Sequence, residues 1–235
     1  MKIKYILSPH FLEKKGILDS ISKVLDVLGK NYKILDVGCG SQPYRKLFED
    51  KGAKYTGIDF GDYSKNNSFK KAEPDLFFPE GYTKDFNIPL EDKSFNVILA
   101  FQVLEHHKNI EKFFSEANRL LKEDGYLFIT FPFIWSLHEE PNDFQRLTHY
   151  KIKDLAERNG LEIVNIDKRG GVSSVISQTL NLSLFEKKIP KIIKYFLYFL
   201  LLAPFQYFSY LFEKLIKQKE ERTIFLGYSI LMQKK

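Results

Sequence analysis

The architecture of this chain can be predicted from one segment, Ile34-Leu35-Asp36-Val37-Gly38-Cys39-Gly40-Ser41. Its apolar residues indicate a short buried strand that carries one acid, Asp36, near its end. The glycines that follow lack a Cβ atom, so the backbone can take unusual φ values and a ligand can approach closely. A helix is predicted to follow at residues 44–48. Strand, glycine turn and helix in this order form a site for the polar end of a nucleotide-like ligand.

A second acid, Asp59, lies near the end of the next predicted strand, at residues 55–60. It follows the glycines by about 20 residues, and in a βαβ unit that position faces the ribose of a bound nucleotide. A carboxylate at this point can accept hydrogen bonds from both ribose hydroxyls.

Apolar strands and amphipathic helices alternate through the rest of the chain. Helices are predicted at residues 11–28 and 110–121, and strands at 95–101, 126–131, 161–166 and 223–232. For the third strand, residues 74–78 and 83–86 remain alternatives. The alternation predicts an α/β fold with a doubly wound, Rossmann-like, mostly parallel sheet and helices on both faces. We expect seven strands, with the last one antiparallel.

The composition indicates one globular domain over residues 1–235, with a hydrophobic helical insertion at residues 172–221. A net charge of +6 favours an anionic partner. Nucleic acid is the weakest such partner, because the charge is spread out without an arginine-rich block, and none is predicted. Cys39 is the single cysteine, which excludes an internal disulfide and indicates a reducing compartment. The apolar run near the N-terminus is too short for a signal-peptide core, so a cytoplasmic location is predicted.

Several motifs along residues 30–168 resemble, in order, those of class I S-adenosylmethionine-dependent methyltransferases. The run Leu35-Asp36-Val37-Gly38-Cys39-Gly40 resembles their first motif, and Gly57-Ile58-Asp59 the acidic end of their second strand. Residues 88–95, 103–106 and 120–125 resemble later motifs of the subgroup often called type 11. Gln42 departs from the pattern, because a further glycine is common there. The dehydrogenase fingerprint fits less well, since Pro43 stands where its third glycine should be.

The resemblance implies S-adenosylmethionine as the cofactor. Asp36 and the turn formed by Gly38, Cys39 and Gly40 would hold the methionine end, and Asp59 would hold the ribose hydroxyls. The other implied contacts are Phe60 against the adenine, Asp85 or Phe86 at the adenine edge, and Phe101 and Gln102 facing the sulfonium and the substrate. For Phe60 and Phe86, ordinary core packing is an equal alternative.

A hydroxyl acceptor would need a base that titrates near neutral pH. We predict His138 for this role, with Asp143 or Glu139 to orient it and Arg146 to hold an anionic group of the acceptor. This loop resembles a pattern in methyltransferases encoded with bacterial surface-glycan enzymes. The alternative is a capped loop in which Asp143 and Arg146 form an internal salt bridge. His106 is the rival base, and no metal site is predicted, since adjacent histidines do not share one helix face.

Residues 195–212 contain no charged residue, and as one helix they would be just short of a bilayer core. Pro204 is predicted to begin a second, amphipathic helix. Lysines flank both ends, and the last strand must return to the sheet, so a simple membrane span is disfavoured. Peripheral membrane contact through residues 190–219 is one interpretation. A homodimer interface or a lid over the active site is the other.

The sequence therefore predicts a methyltransferase acting on a small-molecule, sugar or lipid-linked acceptor, with a hydroxyl as the preferred acceptor group. A lipid-linked glycan is one such partner, and the location could then extend to the inner face of the cell membrane. The alternative is a membrane-associated cofactor-binding or scaffold protein of the same fold without turnover.

Overall fold

The computed structural model describes residues 8–60, 73–78, 86–215 and 222–235. The strands are β1 Lys33–Val37, β2 Lys54–Phe60, β3 Leu76–Phe78, β4 Phe95–Phe101, β5 Leu121–Pro132, β6 Leu161–Arg169 and β7 Gly227–Lys234. The α-helices are α1 Phe11–Val27, α2 Arg45–Glu49, α3 Ile110–Leu120, α4 His149–Arg158, α5 Val172–Glu186, α6 Lys191–Leu197 and α7 Ala203–Leu215. A 3₁₀ turn at Leu104–His106 precedes α3, and a π turn at Tyr198–Leu202 joins α6 to α7.

Within the described residues, the strands form one seven-stranded sheet in the order β3-β2-β1-β4-β5-β7-β6. The pairs β1–β2, β1–β4, β2–β3 and β4–β5 are parallel. The last strand is antiparallel: the N–H of Leu226, just before β7, donates to Arg169 at the end of β6, whereas the N–H of Lys235, just after β7, donates to Gly160, just before β6. The predicted fold class is therefore confirmed.

The strand order places the site. The chain passes from β1 outward to β3 and then returns to pair β4 with the other side of β1, so the strand order reverses between β1 and β4. Ligands of open α/β sheets bind at the carboxyl ends of the strands beside such a reversal. Strands β1 and β4, on either side of this reversal, are held in the core, since Ile34, Leu35 and Leu99 are all 0% exposed.

Of the two alternatives for the third strand, the structure has the first. Leu76–Phe78 pairs with the end of β2, with Phe77 opposite Asp59. Residues 83–85, which belong to the other alternative, lie outside the described residues.

By its internal contacts, the chain divides into two compact units. The sheet unit comprises Ser22–Phe131, His138–Ile166 and Ser229–Lys235, and the helical unit comprises Met1–Ile21, Pro132–Leu137 and Asp167–Tyr228. Every predicted site residue that the structure describes belongs to the sheet unit.

The helical unit buries polar side chains as well as an apolar cluster at Phe11, Leu12 and Leu226. Helices α5 and α7 bury Ser174, Ser177, Gln178, Asn181, Gln206, Ser209 and Glu213. The Asn181 side-chain amide donates to Gln206 Oε1 at 2.8 Å, and Gln206 Nε2 donates to the hydroxyl of Tyr198 at 3.2 Å. Glu213 accepts hydrogen bonds from Ser173 Oγ and from the N–H of Ser174, both at 2.8 Å. These hydrogen bonds satisfy polar groups that would otherwise be costly to bury.

The apolar side chains of the same helices point outward. Exposed large side chains from α6 to the end of α7 are Ile192, Ile193, Tyr195, Phe196, Phe199, Leu200, Leu201, Phe205, Tyr207, Phe208, Leu211, Phe212 and Leu215. Residues 195–201, which are apolar all round the helix, are thus largely exposed. Residues 191–215 form one helical stretch of 25 residues, long and apolar enough to cross a membrane by length and composition, with 17% of its apolar window buried.

Pro204 begins a new helical segment, as predicted, but no loop precedes it. Proline lacks an N–H, and its ring clashes with the carbonyl four residues earlier, which disrupts a regular α-helix. The π turn at Tyr198–Leu202 lies just before Pro204, so the chain stays helical on both sides of the proline.

Candidate active site

The glycine turn after β1 takes the left-handed backbone that its sequence predicts. Gly38 has φ of 69° and Gly40 has φ of 50°. Gln42, in the place of the expected further glycine, adopts φ of 52° as well. Its side chain is buried, and Nε2 donates to the carbonyl of Glu73 while Oε1 accepts from Arg45 at 2.7 Å. Side-chain hydrogen bonds therefore hold a glutamine in a conformation that favours glycine.

Asp36 lies at the bottom of the turn and is 1% exposed. The hydroxyl of Tyr55 donates a hydrogen bond to its Oδ2. Its Oδ1 is buried and has no hydrogen-bond partner among the residues that the structure describes. Burial raises the pKa of this carboxyl to about 7, against the hydrogen bond from Tyr55, which lowers it. A cationic ligand group at Oδ1 would satisfy the unpaired atom.

Asp59 lies beside the same turn. Its Oδ2 accepts the N–H of Gly40 at 2.6 Å, and the residue is 8% exposed. The turn packs tightly on β2, because a Cβ atom at Gly57 would lie 2.8 Å from Cys39 Sγ. Cys39 is thus turned toward the strand, and burial raises the pKa of its thiol above the ordinary range. Only the Cys39 backbone is left for a ligand.

The residues expected at the adenine are only partly described. The Phe60 backbone ends β2, whereas Asp85 lies outside the described residues. Phe86 is 3% exposed, and its ring centroid lies 4.4 Å from that of His107 and 6.2 Å from that of Phe113. Core packing therefore accounts for Phe86.

The end of β4 faces the glycine turn across the β1–β4 pairing. The Phe101 ring lies 4.6 Å from the ring of Tyr44, which precedes α2. Gln102 follows with φ of 56°, and its Nε2 donates to Thr130 Oγ1 at 3.0 Å. A left-handed backbone at a residue other than glycine is costly, and such strain is concentrated at functional sites. Tyr44 was not predicted, because its sequence position is only that of a helix start.

The loop after β5 brings His138, Asp143 and Arg146 together. Asp143 Oδ2 lies 3.2 Å from His138 Nδ1 and accepts the His138 backbone N–H at 3.1 Å. It also accepts from Arg146 at 2.8 Å, and this hydrogen bond holds the pKa of Asp143 down at about 2. Asp143 thus contacts both His138, as the catalytic interpretation requires, and Arg146, as the salt-bridge alternative requires.

His106 and His138 belong to one cluster, whereas the sequence analysis treated them as alternative candidates for the base. Their ring centroids lie 4.8 Å apart, with the rings at 77°. The Nε2 atoms of both face the same carboxylate oxygen, Glu105 Oε1, at 3.9 Å for His106 and 3.7 Å for His138. Glu139 Oε2 lies 3.8 Å from His106 Nε2 on the more exposed side.

Glu105 is the site residue that the sequence interpretation missed. Its side chain is 0% exposed, although it lies in the 3₁₀ turn at Leu104–His106, in the connection between β4 and α3. The signal for it was topological: β4 and β5 are neighbours, so the residues after both strands meet at one edge. The loop is fastened to this turn, since Gln145 Nε2 donates to the carbonyls of Leu104 and His107, both at 2.8 Å.

His107 faces away from this cluster, as expected for adjacent histidines. It packs on Phe86 and Phe113. Burial lowers the pKa of this imidazole to about 4, so it is neutral at physiological pH.

A family model described as a methyltransferase domain matches residues 10–166. The ubiquinone biosynthesis O-methyltransferase of Pelagibacter ubique (strain HTCC1062) is 34% identical over an alignment of 136 positions that covers 51% of this chain and 50% of that protein. The sterol 24-C-methyltransferase ERG6B of Gibberella zeae is 34% identical over an alignment of 100 positions that covers 40% of this chain and 26% of that protein. The chain thus spans half or less of the length of these two relatives.

Solved structures share the fold at low sequence identity. A SAM dependent methyltransferase from Archaeoglobus fulgidus superposes with a TM-score of 0.56 at 15% identity, covering 93% of this chain and 94% of that chain. The [4+2]-cyclase SpnF superposes with a TM-score of 0.56 at 17% identity, covering 92% of this chain and 81% of that chain. At such identities the likeness concerns the fold alone.

Proposed function

This chain belongs to the methyltransferase domain family, and we propose that it transfers the methyl group of S-adenosylmethionine to a hydroxyl of a small-molecule acceptor. One observation carries the proposal. The acids near the ends of β1 and β2 and the glycine turn after β1 lie at the same sheet edge as the imidazole cluster that follows β4 and β5. A donor site and an acceptor site thus flank the reversal in strand order.

The cofactor has a matching set of groups. The unpaired Oδ1 of Asp36 would take the ammonium group of the methionine end, and the turn at Gly38 and Gly40 leaves room for close approach. Asp59, whose Oδ2 accepts the N–H of Gly40 in the same turn, would take the ribose hydroxyls. Phe101 and Gln102 would face the sulfonium. Bound there, the cofactor supplies an electrophilic methyl group, and the chain contributes alignment of donor and acceptor.

His138 is the base in this proposal. Asp143 is ionised at neutral pH, so the contact with His138 Nδ1 requires the imidazole proton on that nitrogen. Nε2 is then left with a lone pair that can take the acceptor's proton as the oxygen–methyl bond forms. The relatives' names cover both oxygen and carbon methylation, and this base favours oxygen.

We propose further that the acceptor is lipid-linked and is reached at the inner face of a membrane. Support comes from the helical unit, whose exposed apolar face is flanked by Lys191, Lys194 and Lys214. Such a face with a basic margin suits an anionic lipid surface. A sugar as the methylated part of that acceptor rests on the sequence of the loop at residues 138–148 alone.

Binding and turnover test the core of the proposal separately. Calorimetry should give micromolar binding of S-adenosylhomocysteine to wild type and at least tenfold weaker binding to Asp59→Ala, with the surface variant Asp154→Ala unchanged. His138→Ala should keep its affinity within about twofold but lose at least 100-fold in transfer of labelled methyl groups into a fractionated extract. Folded wild type that binds neither the cofactor nor its product would contradict the proposal.

A second candidate function is cofactor binding in a membrane-associated protein without methyl transfer. The structural neighbour SpnF favours it, since SpnF is a [4+2]-cyclase that shares the fold. Tight binding of S-adenosylmethionine together with no labelled product from any lipid or glycan fraction would support this alternative.

A further inference from the structure

The carboxylate of Glu105 is buried beside the imidazoles of His106 and His138. Both of its oxygens are buried and have no hydrogen-bond partner in the described ranges 8–60, 73–78, 86–215 and 222–235. Arg146 also acts on Glu105 electrostatically, but its guanidinium is engaged by Asp143. An ionised carboxylate without partners is costly to bury, and buried charges in proteins are normally paired or bound to a metal.

The two imidazoles beside it are oriented as metal ligands are. His106 Nδ1 lies 2.7 Å from the carbonyl of Asn142, and a carbonyl can only accept, so the proton is on Nδ1. His138 Nδ1 faces the ionised Asp143 and carries its proton for the same reason. Each ring therefore directs a lone pair on Nε2 toward Glu105 Oε1. A carbonyl or carboxylate on the far nitrogen is the usual outer contact of a metal-bound histidine.

We propose that Glu105, His106 and His138 bind one divalent first-row transition metal ion. Two histidines and one carboxylate form a known ligand set for such ions, and three protein ligands leave positions open for a substrate oxygen. The ligand atoms lie within 4.8 Å of one another. Metal bonds of about 2.0–2.2 Å place neighbouring ligands about 3–3.5 Å apart, so binding draws the three atoms together by about an ångström.

This inference rests on the proposed function and changes one part of it. With the ion bound, His138 Nε2 is a ligand, and the acceptor's oxygen occupies an open position where its pKa is lowered. The O–H bond then breaks toward the carboxylate of Glu139, 3.8 Å from His106 Nε2. The oxygen's electron pair forms the new bond to the methyl carbon, and the methyl–sulfur bond breaks with its pair left on sulfur. Sulfonium becomes thioether, and no oxidant or reductant is required.

The proposal is tested by measuring metal binding directly, without an activity assay. Protein stripped with a chelator is titrated with Co²⁺ and followed by visible absorption, and with Zn²⁺ or Mn²⁺ by calorimetry. We expect one equivalent per chain with micromolar or tighter affinity, and at least tenfold weaker binding to His106→Ala and to Glu105→Gln. His149→Ala, a histidine on α4 outside the cluster, should bind as wild type does.

Binding of S-adenosylhomocysteine, measured on the same samples, separates the two proposals. Wild type that binds the nucleoside but takes up no metal overturns the metal site and leaves His138 as the base. Metal binding that His149→Ala weakens as much as His106→Ala overturns it too. Stoichiometric metal binding without nucleoside binding would retain the metal site and contradict the methyltransferase function.

Discussion

At the scale of single residues, Asp36 links cofactor binding to pH. Its pKa of about 7 in the free protein means that the carboxyl is about half protonated at neutral pH. Only the ionised form attracts an ammonium group, so binding must release this proton. Calorimetry with S-adenosylhomocysteine should show the dissociation constant falling about eightfold from pH 6 to pH 7.5.

Two variants check this assignment. Asp36→Asn should bind more weakly and with little pH dependence over the same range. Tyr55→Phe removes the hydrogen bond that lowers the Asp36 pKa, so the midpoint should move to higher pH. A wild-type affinity that does not change between pH 6 and 7.5 would place the ammonium elsewhere.

Gln42 carries a second residue-scale prediction. Glycine there would relieve its left-handed backbone by about 1 kcal/mol but would remove the hydrogen bonds to Glu73 and Arg45, at about 1 kcal/mol each. Gln42→Gly should therefore lose about 1 kcal/mol of stability in urea unfolding. Lys93 has φ of 50° on the surface, so Lys93→Gly should gain stability. Equal gains in both variants would mean that the Gln42 side-chain contacts contribute nothing.

At the scale of elements, the loop after β5 depends on Asp143. The Arg146 hydrogen bond depresses its pKa to about 2, so its contribution to stability is present above about pH 4 and is lost as the pH falls toward 2. Asp143→Asn should cost about 2 kcal/mol at pH 7 in urea unfolding, and the difference from wild type should shrink at pH 3. Asp154→Asn, in an exposed ion pair, should match wild type at each pH. A constant deficit from pH 7 to pH 3 would rule out this linkage.

Some strands could be predicted from the sequence, and others could not. Strand β4 is almost entirely apolar, and β1 and β2 each combine apolar residues with one acid near the end, so the existence and parallel pairing of these strands followed from the sequence pattern. The choice between residues 74–78 and 83–86 for β3 did not, because a three-residue edge strand has too few side chains to show a period. Glu105 was missed for a related reason: spacing along a chain does not reveal which loops meet across a sheet.

The helical unit adds a different lesson. The sequence showed that Gln206, Ser209 and Glu213 share one face of α7, but it did not show which face is buried. Polar residues of α5 are the hydrogen-bond partners of Gln206 and Glu213, 25 and 40 positions earlier in the chain. Because the polar face of α7 is buried against α5, its apolar face is left exposed.

At the scale of the whole molecule, this apolar face and the net charge of +6 predict membrane binding. Vesicles containing anionic phosphatidylglycerol should carry the protein to the pellet at physiological salt, and uncharged vesicles should carry less, because basic residues add about 1 kcal/mol each near an anionic surface. The double variant Phe208→Glu, Leu215→Glu places charge on two side chains that are 67% and 80% exposed. It should bind at least tenfold more weakly without unfolding.

Tyr150→Glu is the matched control, because Tyr150 is 73% exposed on α4 in the sheet unit. It should sediment with vesicles as wild type does. Sedimentation velocity without lipid tests whether the apolar face is instead a homodimer interface. In that case wild type would sediment as a dimer and the double variant as a monomer. A dimer that does not sediment with anionic vesicles would rule out membrane binding through this face. The acceptor would then have to reach His138 from solution.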